Sequence, residues 1–251
     1  MPPGATPPAC VWPPLAEPYA TALREAVDYV FSRWPPVGIV AAGTIIGGSP
    51  GPSSDLDLYV IHRAPYRQRV QRFFNGVPAE MFVNPPERVE RQFAQDRREG
   101  RLVSAHMLAT GAVVYASDPV VERLRRLAAA ELNSQPEPSR GALNQRRYAA
   151  ATSLEDAADV AEADPALCAL ILHRAVDAAI TCRFWLAPAW QPRGKATLSA
   201  LAKLDPPLAD LARAFYVAAG LTQRRALARE IVQRVTRETG FFEWESAPEP
   251  V

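Results

Sequence analysis

Two acidic residues on an alternating strand are the feature that most constrains the fold. Residues 55–61 read DLDLYVI, in which the side chains alternate as they do along a β-strand with one buried face. In an extended chain the two leucines and Val60 share one face, while Asp55 and Asp57 share the other. Burial of the leucine face fixes the register, because a slip of one residue would reverse every side chain. The sequence therefore predicts a strand that presents two carboxylates on one face.

The neighbouring residues predict further strands and helices. Residues 38–43 (GIVAAG) form a short apolar run that ends at a glycine, as in a strand buried on both faces. Residues 47–54 hold three Gly, two Pro and three Ser, and they predict a turn. Further strands are expected over residues 77–83 and 112–115, and helices over residues 21–34, 66–74, 103–109 and 119–132, with another helix opened by Pro85 and Pro86.

A change of composition near residue 133 predicts two domains. Residues 133–141 (NSQPEPSRG) are rich in Pro, Ser and polar side chains and lack a periodic apolar pattern, which favours a linker. The chain beyond is rich in Ala and Leu and its pattern is helical. We therefore predict an α+β protein: a Pro-rich N-terminal arm over residues 1–20, a domain with a small mixed β-sheet and flanking helices over residues 21–132, the linker over residues 133–141, and an α-helical bundle over residues 142–251.

Charge and cysteine content limit the classes of partner. The chain has 28 basic and 27 acidic residues, whereas a protein that follows a phosphate backbone usually shows a basic excess, so the charge balance disfavours long nucleic acid as a substrate. Cys10, Cys168 and Cys182 are odd in number and lack CxxC spacing, so we expect free thiols in a reducing cytoplasm. We find neither a signal peptide nor an apolar stretch of about 20 residues, and expect no membrane association.

The paired aspartates suit a metal-dependent reaction at phosphate. Side chains two positions apart on a strand lie about 6.6 Å from each other, so they can share two Mg²⁺ ions about 3.5–4 Å apart. Magnesium prefers hard oxygen ligands, and phosphoryl-type transfer needs cations to neutralise the reacting phosphate. The backbone N–H groups of a glycine turn that enters a helix could bind the phosphates. Taken alone, an Asp-x-Asp pair is more often the solvated face of an edge strand than a metal site.

A specific combination of motifs favours the metal-site interpretation. Gly43-Thr44 is followed, twelve residues from Gly43 to Asp55, by the run Ser54-Asp55-Leu56-Asp57-Leu58. Over about residues 37–132 the sequence resembles the polymerase-beta-like nucleotidyltransferase superfamily, whose signature is Gly-Ser, a loop, and then Ser-Asp-hydrophobic-Asp-hydrophobic. It is similar in particular to the two-domain bacterial type, antibiotic nucleotidyltransferase-like enzymes with a C-terminal helical domain. An alternative register, with Gly48-Ser49 as the Gly-Ser pair, leaves only seven residues to Asp55 and ranks second.

The resemblance implies roles for individual residues. Asp55 and Asp57 would be metal ligands, and Glu80, an acid within the apolar run AEMFV, would be a further ligand or the general base. Lys195, before a predicted helix of the second domain, would reach the triphosphate across a cleft between the domains. Binding of the nucleotide is implied for the residues that match the signature, namely Gly43, Thr44 and Ser54.

The resemblance also implies an activity. We expect a metal-dependent nucleotidyltransferase that uses Mg²⁺, two ions in all, to transfer a nucleoside monophosphate, AMP from ATP in the usual case, to the hydroxyl of a small molecule such as an aminoglycoside- or lincosamide-like acceptor. Two alternatives stay open: nucleotidylation of a protein or a tRNA, as in toxin and antitoxin members, and a catalytically idle nucleotide-binding module. The histidines of the chain, His62, His106 and His173, are interpreted as structural.

Overall fold

The computed structural model describes residues 9–246 and Pro248. The chain divides into two compact units, residues 1–134 and residues 135–251. The first unit contains, in order, α1 (Tyr19–Arg33), β1 (Pro36–Ala42), α2 (Gly43–Ile46), β2 (Leu56–His62), β3 (Gln68–Phe74), β4 (Val77–Asn84), α3 (Pro86–Glu99), α4 (Val103–Thr110), β5 (Ala112–Ala116) and α5 (Val120–Asn133).

The second unit is helical in its described part. Its elements are α6 (Arg140–Asp159), α7 (Pro165–Leu186), a 3₁₀ turn (Gly194–Ala196), α8 (Thr197–Leu204), α9 (Pro206–Val217) and α10 (Leu221–Thr236). The predicted α+β class is therefore confirmed.

The first unit is built on one five-stranded mixed sheet in the order β3-β4-β2-β1-β5. Strands β2 and β4 are parallel, and every other neighbouring pair is antiparallel. On one face, the buried side chains of β1, β2 and β4 pack against the apolar side of α1. The predicted alternation of β2 places Leu56, Leu58 and Val60 in this core, each with no exposed surface.

Helices α3 to α5 lie on the opposite face of the sheet and cover only part of it. The side chain of Val121, from α5, lies against Gly38 of β1, and α4 contacts both β1 and β2. Near the middle of β2, Tyr59 is 1% exposed, and burial raises the pKa of its phenol. Near the start of β2, the side chain of Asp57 is partly exposed, so the face is open at this end of the strand.

One predicted element is wrong. Residues 66–74 were expected to form a helix, but they include β3, which pairs with β4 as a hairpin. Val70 and Phe74 are side chains of β3 that pack on the core, and their spacing of four residues is also that of one face of a helix. The two-residue connection, Asn75-Gly76, has positive φ at both positions, 44° and 76°. Asn-Gly is a strong hairpin signal, and it identifies these residues as a strand.

The N-terminal segment lies against the first unit where it is described. Residues 1–8 of the predicted arm lie outside the described residues. From there to α1 the chain is not helical, and the N–H of Val11 donates to the carbonyl of Val114 over 2.9 Å. The side chains of Trp12 and Leu15 pack on the core, and the guanidinium of Arg24 lies 4.9 Å from the centre of the Trp12 ring.

Helix α7 is the central helix of the second unit and packs against α6 and α10. Its 22 residues are long and apolar enough to cross a membrane by length and composition, so the expectation that the chain lacks an apolar stretch of about 20 residues was wrong. The core helix of a bundle passes the same test, and the inward face of α7, with Leu172, Ala175 and Ala179, is buried in the bundle. The three cysteines are free thiols, as predicted.

The aromatic residues after α10 pack on the bundle. The ring centres of Phe241, Phe242 and Trp244 lie 6.0, 5.6 and 6.4 Å from that of Tyr148 on α6. Contacts of this kind between aromatic rings add to the stabilisation from burial alone. The C-terminal segment is thus held on α6 as far as Trp244.

A buried carboxylate fastens α4, and its removal should destabilise the protein. Asp96 is 3% exposed, accepts the N–H of Ser104 in the first turn of α4 over 2.7 Å, and accepts Nε2 of Gln92 over 2.8 Å. Asp96→Ala leaves these donors unsatisfied, so we expect a loss of about 1–3 kcal/mol in the free energy of unfolding, measured by urea denaturation. Asp28→Ala, at an exposed position of α1, is the control and should change it little. Equal stability of the two variants would contradict this role of Asp96.

Candidate active site

Three acidic side chains converge at the open end of the sheet. Carboxylate oxygens of Asp55, Asp57 and Glu80 all lie within 4.8 Å of one another. The parallel pairing of β2 with β4 sets Asp57 directly beside Glu80, and Asp55 precedes the first residue of β2. Side chains of paired residues point to the same face of a sheet, so the register alone brings two of the three acids together. Glu80 is the most enclosed, with its side chain 12% exposed.

Gly43 allows the backbone to approach this acidic cluster, meaning Asp55, Asp57 and Glu80. Strand β1 ends at Ala42, which pairs with Asp57, and Gly43 follows with φ at +88°. A Cβ atom on Gly43 would lie 2.5 Å from Oδ2 of Asp57, which is closer than such atoms approach. Both the backbone conformation and the lack of space therefore require glycine here. Gly48, from the alternative register, also has positive φ, at +74°, but a Cβ atom there would meet nothing within 4 Å.

Two hydroxyl groups hold the loop between β1 and β2. The side-chain oxygens of Thr44 and Ser54 share a hydrogen bond of 2.8 Å, and the N–H of Gly51 donates to the Ser54 oxygen over 2.8 Å. The N–H of Ser49 donates to the Thr44 carbonyl over 2.9 Å. Thr44 and Ser54 thus close the loop immediately before Asp55. This fixes where the acidic strand begins.

Strand β3 contributes two side chains that the sequence analysis missed. The guanidinium of Arg69 forms an ion pair with the Glu80 carboxylate, and Nε2 of Gln71 donates to the same oxygen over 3.2 Å. Hydrogen bonding to Glu80 raises the pKa of Arg69. Both residues were hidden by the predicted helix over residues 66–74. The Asn75-Gly76 turn could have found them, because it fixes the hairpin register in which Gln71 pairs with Glu80.

The other residues singled out in the sequence, Lys195 and the three histidines, are not members of the acidic cluster. Lys195 is exposed, in the 3₁₀ turn before α8 of the second unit, and its role in nucleotide binding stays a prediction. His62 is fully buried, its Nε2 lies 3.0 Å from the carbonyl oxygen of Tyr66, and burial lowers its pKa. His173 packs edge-on against the ring of Phe215. His106 is exposed on α4, with its Nδ1 3.3 Å from the hydroxyl of Thr110.

Comparisons with known proteins bear on the fold. No protein-family model matches the sequence, and no curated protein matches it. Nine chains of solved structures match in three dimensions. One is the crystal structure of a nucleotidyltransferase-like protein from Exiguobacterium sibiricum 255-15, with a TM-score of 0.53 and 13% identity over 86% of this chain and 73% of that chain. The chain therefore has a nucleotidyltransferase-like fold.

A matched pair of glycine variants tests whether the close approach of the backbone at Gly43 shapes the acidic cluster. Gly43→Ala and Gly48→Ala both force alanine into a left-handed conformation, at a cost of about 1–2 kcal/mol. Only Gly43→Ala adds a collision with Asp57, so we expect at least about tenfold weaker Mn²⁺ binding for this variant alone, measured by isothermal titration calorimetry. Equal Mn²⁺ affinities in the two variants would show that Gly43 does not control the position of Asp57.

Proposed function

We propose that this chain is a metal-dependent nucleotidyltransferase. It would transfer the nucleoside monophosphate of a nucleoside triphosphate, with ATP as the expected donor, to a hydroxyl group of a small molecule. The observation that carries the proposal is the convergence of three carboxylates within 4.8 Å on the open face of a sheet with a nucleotidyltransferase-like fold. The match of Gly43-Thr44 and Ser54-Asp55-Leu56-Asp57 to the superfamily signature supports it independently.

The donor set of the cluster fits magnesium. Three carboxylates supply hard oxygen atoms, without the nitrogen or sulfur ligands that zinc prefers. Their mutual repulsion is relieved when a cation lies between them. Asp55 and Asp57 would hold the metal, and Glu80 would be a third ligand or the general base. Bound Mg²⁺, as the two expected ions, would neutralise the charge on the phosphate oxygens.

The reaction that follows is an in-line displacement at the α-phosphorus. The hydroxyl oxygen of the acceptor forms a bond to this phosphorus, the bond to the β-phosphate oxygen breaks, and pyrophosphate leaves with the bonding pair. Glu80 as general base would accept the hydroxyl proton. The turn at Gly43 and the hydroxyls of Thr44 and Ser54 would bind the triphosphate, and Lys195 is a further candidate for this contact.

The overall charge favours a small acceptor. With 28 basic and 27 acidic residues, the chain lacks the basic excess that binding along a nucleic acid requires. The free thiols of the three cysteines agree with a cytoplasmic enzyme. An aminoglycoside- or lincosamide-like compound, rich in hydroxyl groups, is the acceptor class we propose first. A protein side chain and a tRNA end are the alternatives that an unbiased assay has to include.

Label transfer tests the activity. Purified protein is incubated with Mg²⁺, α-³²P-labelled nucleoside triphosphates and separate pools of small hydroxyl compounds, proteins and tRNA, and labelled products are separated by chromatography. We expect label in the small-molecule pool, and a loss of at least about 100-fold in Asp57→Asn, because the amide keeps the shape of the side chain and removes its charge.

The matched control is Asp28→Asn, which makes the same change at an exposed position of α1 and should leave the transfer rate unchanged. Label in the protein or tRNA pool would show that the acceptor is a protein or a tRNA rather than a small molecule, and it would still support the transferase activity. Absence of transfer in every pool would contradict the proposed activity, and equal transfer by Asp57→Asn would contradict the assignment of the metal site.

A further inference from the structure

Arg69 brings a permanent positive charge into contact with the acidic cluster. It lies on edge strand β3, paired with Phe82 of β4, and its guanidinium forms an ion pair with the Glu80 carboxylate. The same guanidinium lies 5.2 Å from the centre of the Phe82 ring, on which its flat face can stack. Asp57 also contributes to the electrostatic stabilisation of Arg69. The arginine is thus a neighbour of two of the three acids.

The ion pair uses the carboxylate that a metal would also use. Glu80 gives one oxygen to both Arg69 and Gln71, and the acidic cluster offers one oxygen from each of its three residues to a cation. A guanidinium stays charged at all relevant pH values, so it cannot avoid a bound cation by losing a proton. Arg69 and a divalent cation therefore compete for the Glu80 carboxylate and repel each other.

Arg69 also has space to move away. Its side chain is 63% exposed, whereas that of Glu80 is 12% exposed, so the carboxylate is fixed by its surroundings and the arginine lies at the surface. An ion pair with an exposed arginine contributes little to the stability of the fold, so Arg69 can leave Glu80 at little cost. The contact therefore suits a role in which the Arg69 guanidinium neutralises the acidic cluster only while no metal ion is bound.

We propose that Arg69 is a tethered counter-cation of the acidic cluster, which stabilises the three carboxylates without metal and lowers their affinity for divalent cations. This inference rests on the metal site of the proposed function. It adds a residue that sets how tightly that site binds its metal. Arg69 acts through Glu80 as a positioning residue, and its effect is therefore measured on metal binding itself.

Arg72 provides a matched control on the same strand. It pairs with Ala79 and points to the opposite face of the sheet, where its guanidinium lies 4.8 Å from the centre of the Tyr29 ring. Arg69→Gln and Arg72→Gln remove the same charge from neighbouring positions of an exposed strand. They differ in whether that charge contacts the acidic cluster, so any general effect of net charge is common to both.

Calorimetric titration with Mn²⁺ alone, at low ionic strength, tests the inference. We expect Arg69→Gln to bind Mn²⁺ about tenfold more tightly than the wild type, because the repulsion between the guanidinium and the metal is removed. Arg72→Gln should bind like the wild type. Arg69→Lys keeps the positive charge and should return the affinity most of the way to the wild-type value.

Thermal unfolding gives a second readout. The rise in Tm that saturating Mn²⁺ produces should be larger for Arg69→Gln than for the wild type or Arg72→Gln. If the wild type binds Mn²⁺ and Arg69→Gln binds it equally or more weakly, the inference is overturned and the proposed metal site is left intact. Absence of Mn²⁺ binding in both the wild type and Arg69→Gln would overturn the metal site and the inference together.

Discussion

The parallel pairing of β2 with β4 is the interaction on which the site depends. Leu56 and Leu58 lie opposite Ala79 and Met81 in the core beneath α1, and this apolar packing fixes the register of the two strands. Between the two apolar residues of each strand lies an acid, Asp57 on β2 and Glu80 on β4, whose side chain points to the other face. A hydrophobic core on one side of the sheet thereby determines the separation of two carboxylates on the other side. The geometry of the acidic cluster is therefore a consequence of apolar packing on the other side of the sheet.

The acidic cluster carries an electrostatic cost that the rest of the first unit has to offset. Carboxylates held within 4.8 Å of one another repel, and partial burial of Glu80 strengthens that repulsion. Without metal, the cluster is compensated by the ion pair with Arg69 and by Gln71. Proteins commonly give up some stability at a functional site in this way. The cost is acceptable here because helix α1 and side chains from all five strands bury a continuous apolar core behind the cluster.

The sequence contained much of this site, but not all of it. Strict alternation in β2 identified the orientation of Asp55 and Asp57, and the glycine after an apolar run identified the end of β1. Strand β3 was missed because only Val70 and Phe74 pack inward, and a spacing of four residues fits a helix as well as a strand. Arg69 was missed with it. Its contact with Glu80 arises from pairing across the hairpin, so it depends on register rather than on any local pattern.

Anomalous diffraction from crystals soaked in Mn²⁺ tests the central claim, that the acidic cluster is a divalent-metal site, most directly. The account predicts an anomalous peak at about 2.1 Å from carboxylate oxygens of Asp55 and Asp57, and its loss in crystals of Asp57→Asn. Mn²⁺ peaks elsewhere in the crystal with none at this cluster, or an undiminished peak in Asp57→Asn, would contradict it.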